Sequence, residues 1–150
     1  MHSDEHWMRE AITAAKEAEG KTGSNPAVGC VLVRDDQLLV RGWTHPPGQA
    51  HAEAHAIQQA QALGIDLCQV TLYCTLEPCA FVGRTPACAV TISEVGIPRV
   101  VIGVRDPHPR VNGAGIQLLR KAGVEVVEGV CVAEVTVSLQ AWLRQFAEKR

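Results

Sequence analysis

Apolar positions along the chain change their period several times, and each change marks a predicted element. Between residues 4 and 20, Met8, Ala11, Ile12, Ala15 and Ala18 recur at helical spacing and stop at Gly20. After a Ser24-Asn25-Pro26 turn, Val28–Val33 is short and rich in β-branched residues, as strands are. Asp35-Asp36 joins it to Leu38–Trp43 as a hairpin. A Pro-Pro-Gly stretch at 46–48 leads into an Ala- and Gln-rich helix over about 52–63, ended by Gly64. Val70–Thr75 and Arg99–Val104 read as buried strands. Between them Thr85-Pro86 opens a helix, with Thr as cap and Pro at its first position, that closes at Gly96. A turn-rich loop over Asp106–Gly115 precedes a short helix (116–121), a strand (124–128) and a C-terminal helix (about 132–148).

The order α-β-β-α-β-α-β-α-β-α predicts an α/β fold of three layers, with five strands in one mixed sheet and helices on both faces. Strands separated by helices should run parallel through right-handed crossovers, and functional loops should cluster at their carboxyl ends. No internal repeat or low-complexity linker interrupts the chain, so residues 1–150 read as one domain. Val135, Leu139, Trp142, Leu143 and Phe146 form a stripe on the last helix. It reads first as core and second as a face between copies, which leaves room for a homo-oligomer.

Composition narrows the function classes. Hydrophobic residues make up 47% and charged residues 20%, as in globular proteins, and the net charge of −2 gives no basic surplus for nucleic acid. No apolar run is long enough for a membrane span, and the first residues lack the form of a secretory signal. Six cysteines in such a chain predict free thiols in a reducing compartment, the cytoplasm. Cys30, Cys68, Cys74 and Cys131 lie in or beside apolar runs and are expected to be small buried hydrophobes.

The other two cysteines change the picture. His51-Ala52-Glu53 and Pro78-Cys79, with Cys88 eight residues further on, each fall in a loop or at a predicted helix start. One imidazole and two thiolates suit Zn²⁺ and leave a tetrahedral position open for water, the mark of a catalytic site. Mid-helix, positions i and i+2 point roughly 200° apart, so His51 belongs at the helix cap with Glu53 in the first turn. His51 and His55 are spaced as in zinc proteases, but those carry Glu directly after the first His, and here it is one residue later. His55 is expected to support the site instead. A zinc site with a carboxylate that is not a ligand is the arrangement of hydrolytic deaminases, with Glu53 carrying the proton. A non-catalytic zinc-binding domain is the alternative from another class.

Further motifs carry a resemblance: Asn25-Pro26-Ala27-Val28-Gly29-Cys30, His51–Ala56, Thr75-Leu76-Glu77-Pro78-Cys79, Gly83-Arg84-Thr85-Pro86 and Asp106-Pro107 with Gly113 and Gly115. Over nearly its whole length the chain resembles the deaminase domain of the bifunctional riboflavin-biosynthesis deaminase/reductase. The reductase part has no counterpart in the 150 residues, as in a separate deaminase. The resemblance implies a cytidine deaminase-like fold, a zinc ion on His51, Cys79 and Cys88, and Glu53 as proton shuttle. It implies a small-molecule partner, 2,5-diamino-6-ribosylamino-4(3H)-pyrimidinone 5′-phosphate, which loses its 2-amino group. Another aminated base, nucleoside or heterocycle is the alternative substrate. Asn25 would read a pyrimidine edge or simply form an Asn-Pro turn. Arg84 would meet a phosphate or remain a solvated charge. Asp106 and His108 would hold the ribose or phosphate or shape a turn. Ala80-Phe81-Val82 stand where the family carries polar residues or histidine, and His108 where it often has Asn, which predicts an apolar wall beside the site.

Overall fold

The computed structural model describes residues 1–80, 87–109 and 111–148, with side chains as far as Arg144. Helix α1 (Asp4–Ala15) starts where Ser3 Oγ accepts the His6 N–H at 3.2 Å, and Asp4 and Glu5 complement the first turn. It tightens into a 3₁₀ turn over Lys16–Ala18, so the α-helical part ends earlier than the apolar spacing predicts. Strands β1 (Gly29–Arg34) and β2 (Gln37–Trp43) pair through a two-residue turn. Asp35 and Asp36 both take positive φ there (50° and 59°), the handedness that matches strand twist. Then follow α2 (Ala52–Ala62), β3 (Thr71–Leu76), α3 (Cys88–Glu94), β4 (Arg99–Val104), α4 (Ala114–Lys121), β5 (Glu125–Val127), α5 (Val132–Ser138) and α6 (Gln140–Glu148).

Three boundaries differ from expectation. Helix α3 is capped by Ala87 in extended geometry, and the predicted opening at Thr85-Pro86 lies outside the described residues. Helix α4 begins at Ala114, two residues early, because its cap comes from a distant side chain described below. The C-terminal helix is two segments that meet at Leu139. Helix α5 carries Val132, Val135, Thr136 and Val137, which crowd a helix, and Thr136 Oγ1 donates back to the Val132 carbonyl at 2.7 Å.

The sheet order is β2-β1-β3-β4-β5, with β1 antiparallel to both neighbours and β3, β4 and β5 parallel. Strands β2, β3 and β4 therefore point the same way. The segments after them, and the Asn25-Pro26 turn before antiparallel β1, emerge at one edge. The two faces follow from neighbouring glycines. A side chain at Gly29 would meet the α1 backbone at Ala11, whereas one at Gly42, which pairs with Cys30, would meet the α2 backbone at Ala52. Successive residues of a strand face opposite ways, so α1 and α2 cover opposite faces and the chain has three layers. Helix α5 joins α1 on its side, with Val135 against Gly103. Among the described residues no helix is long and apolar enough to cross a membrane.

Cys30 and Cys74 face each other across β1 and β3 and are fully buried, as expected, and burial pushes both thiols up. Cys68 is exposed and Cys131 is partly so, contrary to expectation. Cys68 sits in a 3₁₀ turn capped by Asp66, and Cys131 has φ 57° ahead of α5, so local turn geometry overrides the apolar flanks.

Asp4 ties α1 to the sheet. Its carboxylate accepts Arg99 Nη1 and Nη2 (3.0 and 2.9 Å) and the Tyr73 hydroxyl (2.8 Å), and the Arg99 bonds, the largest influence, hold its pKa below 3.8. A folded-state pKa below the unfolded one gives stability that is present above 3.8 and lost as pH falls through the lower folded value. Asp4→Asn is expected to destabilise the protein by about 1–2 kcal/mol at pH 7. The difference from wild type should shrink as pH drops below 3.8, checked by urea denaturation across that range.

Candidate active site

His51 is the N-cap of α2, with extended φ and ψ (−72° and 167°), and Glu53 lies in the first turn. The close approach of α2 to Gly42 seats that turn, since a Cβ at Gly42 would lie 2.4 Å from the Ala52 carbonyl oxygen. Cys79 follows the end of β3, and Cys88 is the first residue of α3. These segments bring His51 Nδ1 to 3.8 Å from Cys79 Sγ and 3.4 Å from Cys88 Sγ. The three donor atoms lie within 4.8 Å of one another, the only such metal-ligating group among the described residues.

The electrostatics of the trio suit a divalent cation. Cys79 Sγ is bonded by the Cys88 thiol, His51 and the Cys88 backbone N–H (3.2 Å), which pull its pKa down to about 4. Cys88 is pushed up, first by its bond to the Cys79 sulfur and then by burial. His51 is raised, first by its bond to Cys79. Two sulfurs and one imidazole nitrogen converge here, a donor set that Zn²⁺ favours once the thiols are deprotonated. The residues fit the ion.

Glu53 is only 4% exposed, touches the Cys88 thiol, and borders the trio from the α2 side. Desolvation first, then the Cys79 sulfur, raises its pKa to about 7. His55 is not part of the metal-ligating group. Its Nδ1 accepts the Trp43 N–H at 3.1 Å, and its ring meets Trp43 and His45 edge-on, so it clips α2 to the end of β2. That is the supporting role its spacing suggested.

A cavity of about 580 Å³ opens in front of the trio, lined by Asn25, His51, Glu53, Cys79, Asp106 and Trp142 among others. Its size suits a nucleotide-sized ligand. Asn25 both lines it and forms a turn, its carbonyl accepting Thr22 Oγ1 at 2.7 Å. Asp106 reaches the cavity wall, half-buried and raised by that burial, while its Oδ1 accepts the His108 N–H at 3.0 Å. His108 is exposed and does not line the cavity. Arg84 lies outside the described residues, as do Phe81 and Val82 of the expected apolar wall.

Glu77 is a structural residue that sequence reasoning passes over. Its carboxylate is 4% exposed and accepts four backbone N–H groups. Asp106 and Gly113 donate to Oε1 (3.1 and 3.0 Å), and Gly115 and Ile116 donate to Oε2 (2.9 and 3.3 Å). Gly113, the α4 cap residue, has no side chain to offer, so Glu77 caps α4 from β3. A Cβ at Gly115 would lie 2.0 Å from the Pro78 carbonyl oxygen, which shows how closely α4 abuts the metal-binding turn. The legible signal is a buried acid directly before Pro78-Cys79.

Comparison with known proteins places these observations. Residues 1–104 match the family model described as the cytidine and deoxycytidylate deaminase zinc-binding region. The riboflavin biosynthesis protein RibD of Synechocystis is 46% identical over 132 residues, 87% of this chain and 34% of that protein. RibD of Escherichia coli is 37% identical over 142 residues, 95% of this chain and 38% of its own length. The chain thus spans about a third of the length of the curated relatives it matches. Among solved structures, the diaminohydroxyphosphoribosylaminopyrimidine deaminase/5-amino-6-(5-phosphoribosylamino)uracil reductase of Thermotoga maritima superposes with a TM-score of 0.92. Its identity is 42%, covering 98% of this chain and 42% of that one.

Proposed function

The chain belongs to the cytidine and deoxycytidylate deaminase zinc-binding family, and we propose that it removes the 2-amino group of 2,5-diamino-6-ribosylamino-4(3H)-pyrimidinone 5′-phosphate. The observation that carries this reading is a buried Glu53 beside the His51–Cys79–Cys88 trio, with His51, Glu53 and Cys79 lining a nucleotide-sized cavity. The relatives' names supply the substrate.

His51, Cys79 and Cys88 would hold the zinc ion, which when bound would supply a Lewis acid that lowers the pKa of a water toward neutral. Glu53 takes a proton from the attacking water and gives it to the ring nitrogen of the amidine, then takes the proton of the newly added hydroxyl and passes it to the departing amine. One water enters, the C–N bond breaks, and ammonia leaves with a carbonyl in its place. A carboxyl group near pKa 7 can both take and return a proton at neutral pH. Asn25 presents an amide that can pair with a ring edge, and Asp106, also in the lining, is the group we assign to the ribose. Arg84 is the cation we assign to the 5′-phosphate, on the match of a planar guanidinium to that group. We assign the reaction to the cytoplasm on the six cysteines, which suit a reducing compartment.

The test is ammonia release from the ribotide and from its dephosphorylated form. Turnover of the ribotide that falls sharply without the phosphate, and likewise in Arg84→Ala, supports the reading. Equal turnover of both forms, or turnover only of another aminated heterocycle, overturns the substrate and leaves the deaminase chemistry standing.

A further inference from the structure

We propose that Trp142 is the aromatic wall on which the substrate heterocycle lies, which makes α6 part of the active site and a determinant of its specificity. The proposal rests on the reading of the cavity as a deaminase site. Trp142 lines the same cavity as His51, Glu53 and Cys79, although it is remote from them in sequence. Apart from the ligand imidazole of His51, it is the one aromatic ring among the described residues of that lining.

The other described tryptophan and tyrosine side chains do not line this cavity. Trp7 is buried beside His2 and His6, Trp43 packs on His45 and His55, and the Tyr73 hydroxyl donates to Asp4. The chain is anchored to the core on either side of Trp142. Leu139, at the junction, is 1% exposed, and Leu143 packs against the core, so positions 139, 142 and 143 share one face. Trp142 itself is half-buried, partly on the core and partly in the cavity wall.

The chemistry of the remaining walls gives this indole its task. The metal ligands and Glu53 must address one edge of a flat ring, and Asn25 and Asp106 offer polar contacts to other edges. Of the described lining residues, Pro26, Val28, Pro47 and Leu76 add only aliphatic contact to such a ring's face, and Trp142 alone offers an extended π surface. An aromatic side chain does so with little entropy to lose, as in other sites that read heterocyclic bases. Trp142 also lies beyond residues 1–104, the stretch that matches the family model. A residue there can tune which heterocycle is accepted without altering the shared zinc and proton machinery.

The experiment compares Trp142→Phe, Trp142→Leu and Trp142→Ala by steady-state kinetics, with zinc content and thermal midpoint measured alongside. Leu keeps apolar bulk on α6 and removes only the π face. The expected result is a KM about 5- to 150-fold higher for Leu and Ala, a near-normal KM for Phe, and kcat and zinc nearly unchanged throughout. A wild-type KM in Trp142→Leu overturns the proposal, because packing alone would then suffice. A second measurement does not need the variants to fold. In a Trp7→Phe/Trp43→Phe chain, the emission of Trp142 alone is followed while the ribotide or its dephosphorylated form is added. Quenching supports stacking, and unchanged emission at saturation with both compounds overturns it. Quenching without ammonia release would sink the substrate reading above and leave the role of Trp142 intact.

Discussion

Glu53→Gln is expected to keep its zinc and its fold while losing about 10²- to 10⁴-fold in kcat, the range typical of a lost general acid–base group. Glutamine has nearly the same shape, so the first turn of α2 and the His51 cap should stay in place. What disappears is the ability to accept a proton from water and return it to nitrogen. Glu53 stands where that ability matters, 4% exposed, lining the cavity and touching Cys88. Burial holds its carboxyl near 7, so neither protonation state is strongly disfavoured at neutral pH. Zinc content by atomic absorption, read beside kcat, separates this role from ligation. Loss of metal in step with activity would make Glu53 a ligand and remove the proton shuttle from the mechanism.

The four central residues are legible in the sequence because residue type and local spacing carry their chemistry. One imidazole and two thiols define a donor set, and the 100° step of a helix places His51 at the cap and Glu53 inside the first turn. The succession of strands and helices along the chain is legible for a similar reason, since strand and helix periods alternate with short turns. Features that depend on distant partners are harder to read. The indole of Trp142 fits the helical apolar stripe, and a side chain facing a cavity has the same period as one facing the core. Cys68 has apolar neighbours in the chain, but a turn carries it outward. His108 lies in the right loop and serves Asp106 through its main chain, which no side-chain motif encodes. The start of α4 is misplaced by two residues because a loop glycine gives no capping signal and the cap lies 36–39 residues earlier.

That remote cap makes Glu77 the position where a single change should damage the fold most. Removing the carboxylate in Glu77→Ala leaves the N–H groups of Asp106, Gly113, Gly115 and Ile116 without their acceptor. A buried donor left unsatisfied costs about 1–3 kcal/mol, so four of them, partly relieved by entering water, should cost about 3–5 kcal/mol. Whole domains are stable by only about 5–15 kcal/mol, so Glu77→Ala should be largely unfolded or barely folded at 37 °C. Glu77→Gln should fall between, because its carbonyl oxygen can still serve two donors while its NH₂ confronts the other two. The damage should also be local before it is global. Amide exchange in Glu77→Gln is expected to accelerate first at Gly113, Gly115 and Ile116, and only later in β3 and β4. Zinc affinity should weaken as well, since Gly115 packs on the Pro78 carbonyl next to Cys79. Urea denaturation and amide exchange check this order, and a Glu77→Ala protein within about 1 kcal/mol of wild type would show that the loop finds other acceptors. In that case Asp106 would be held in the cavity wall by its own Asx turn, and the link from α4 to the metal-binding turn would rest on the Gly115–Pro78 contact alone.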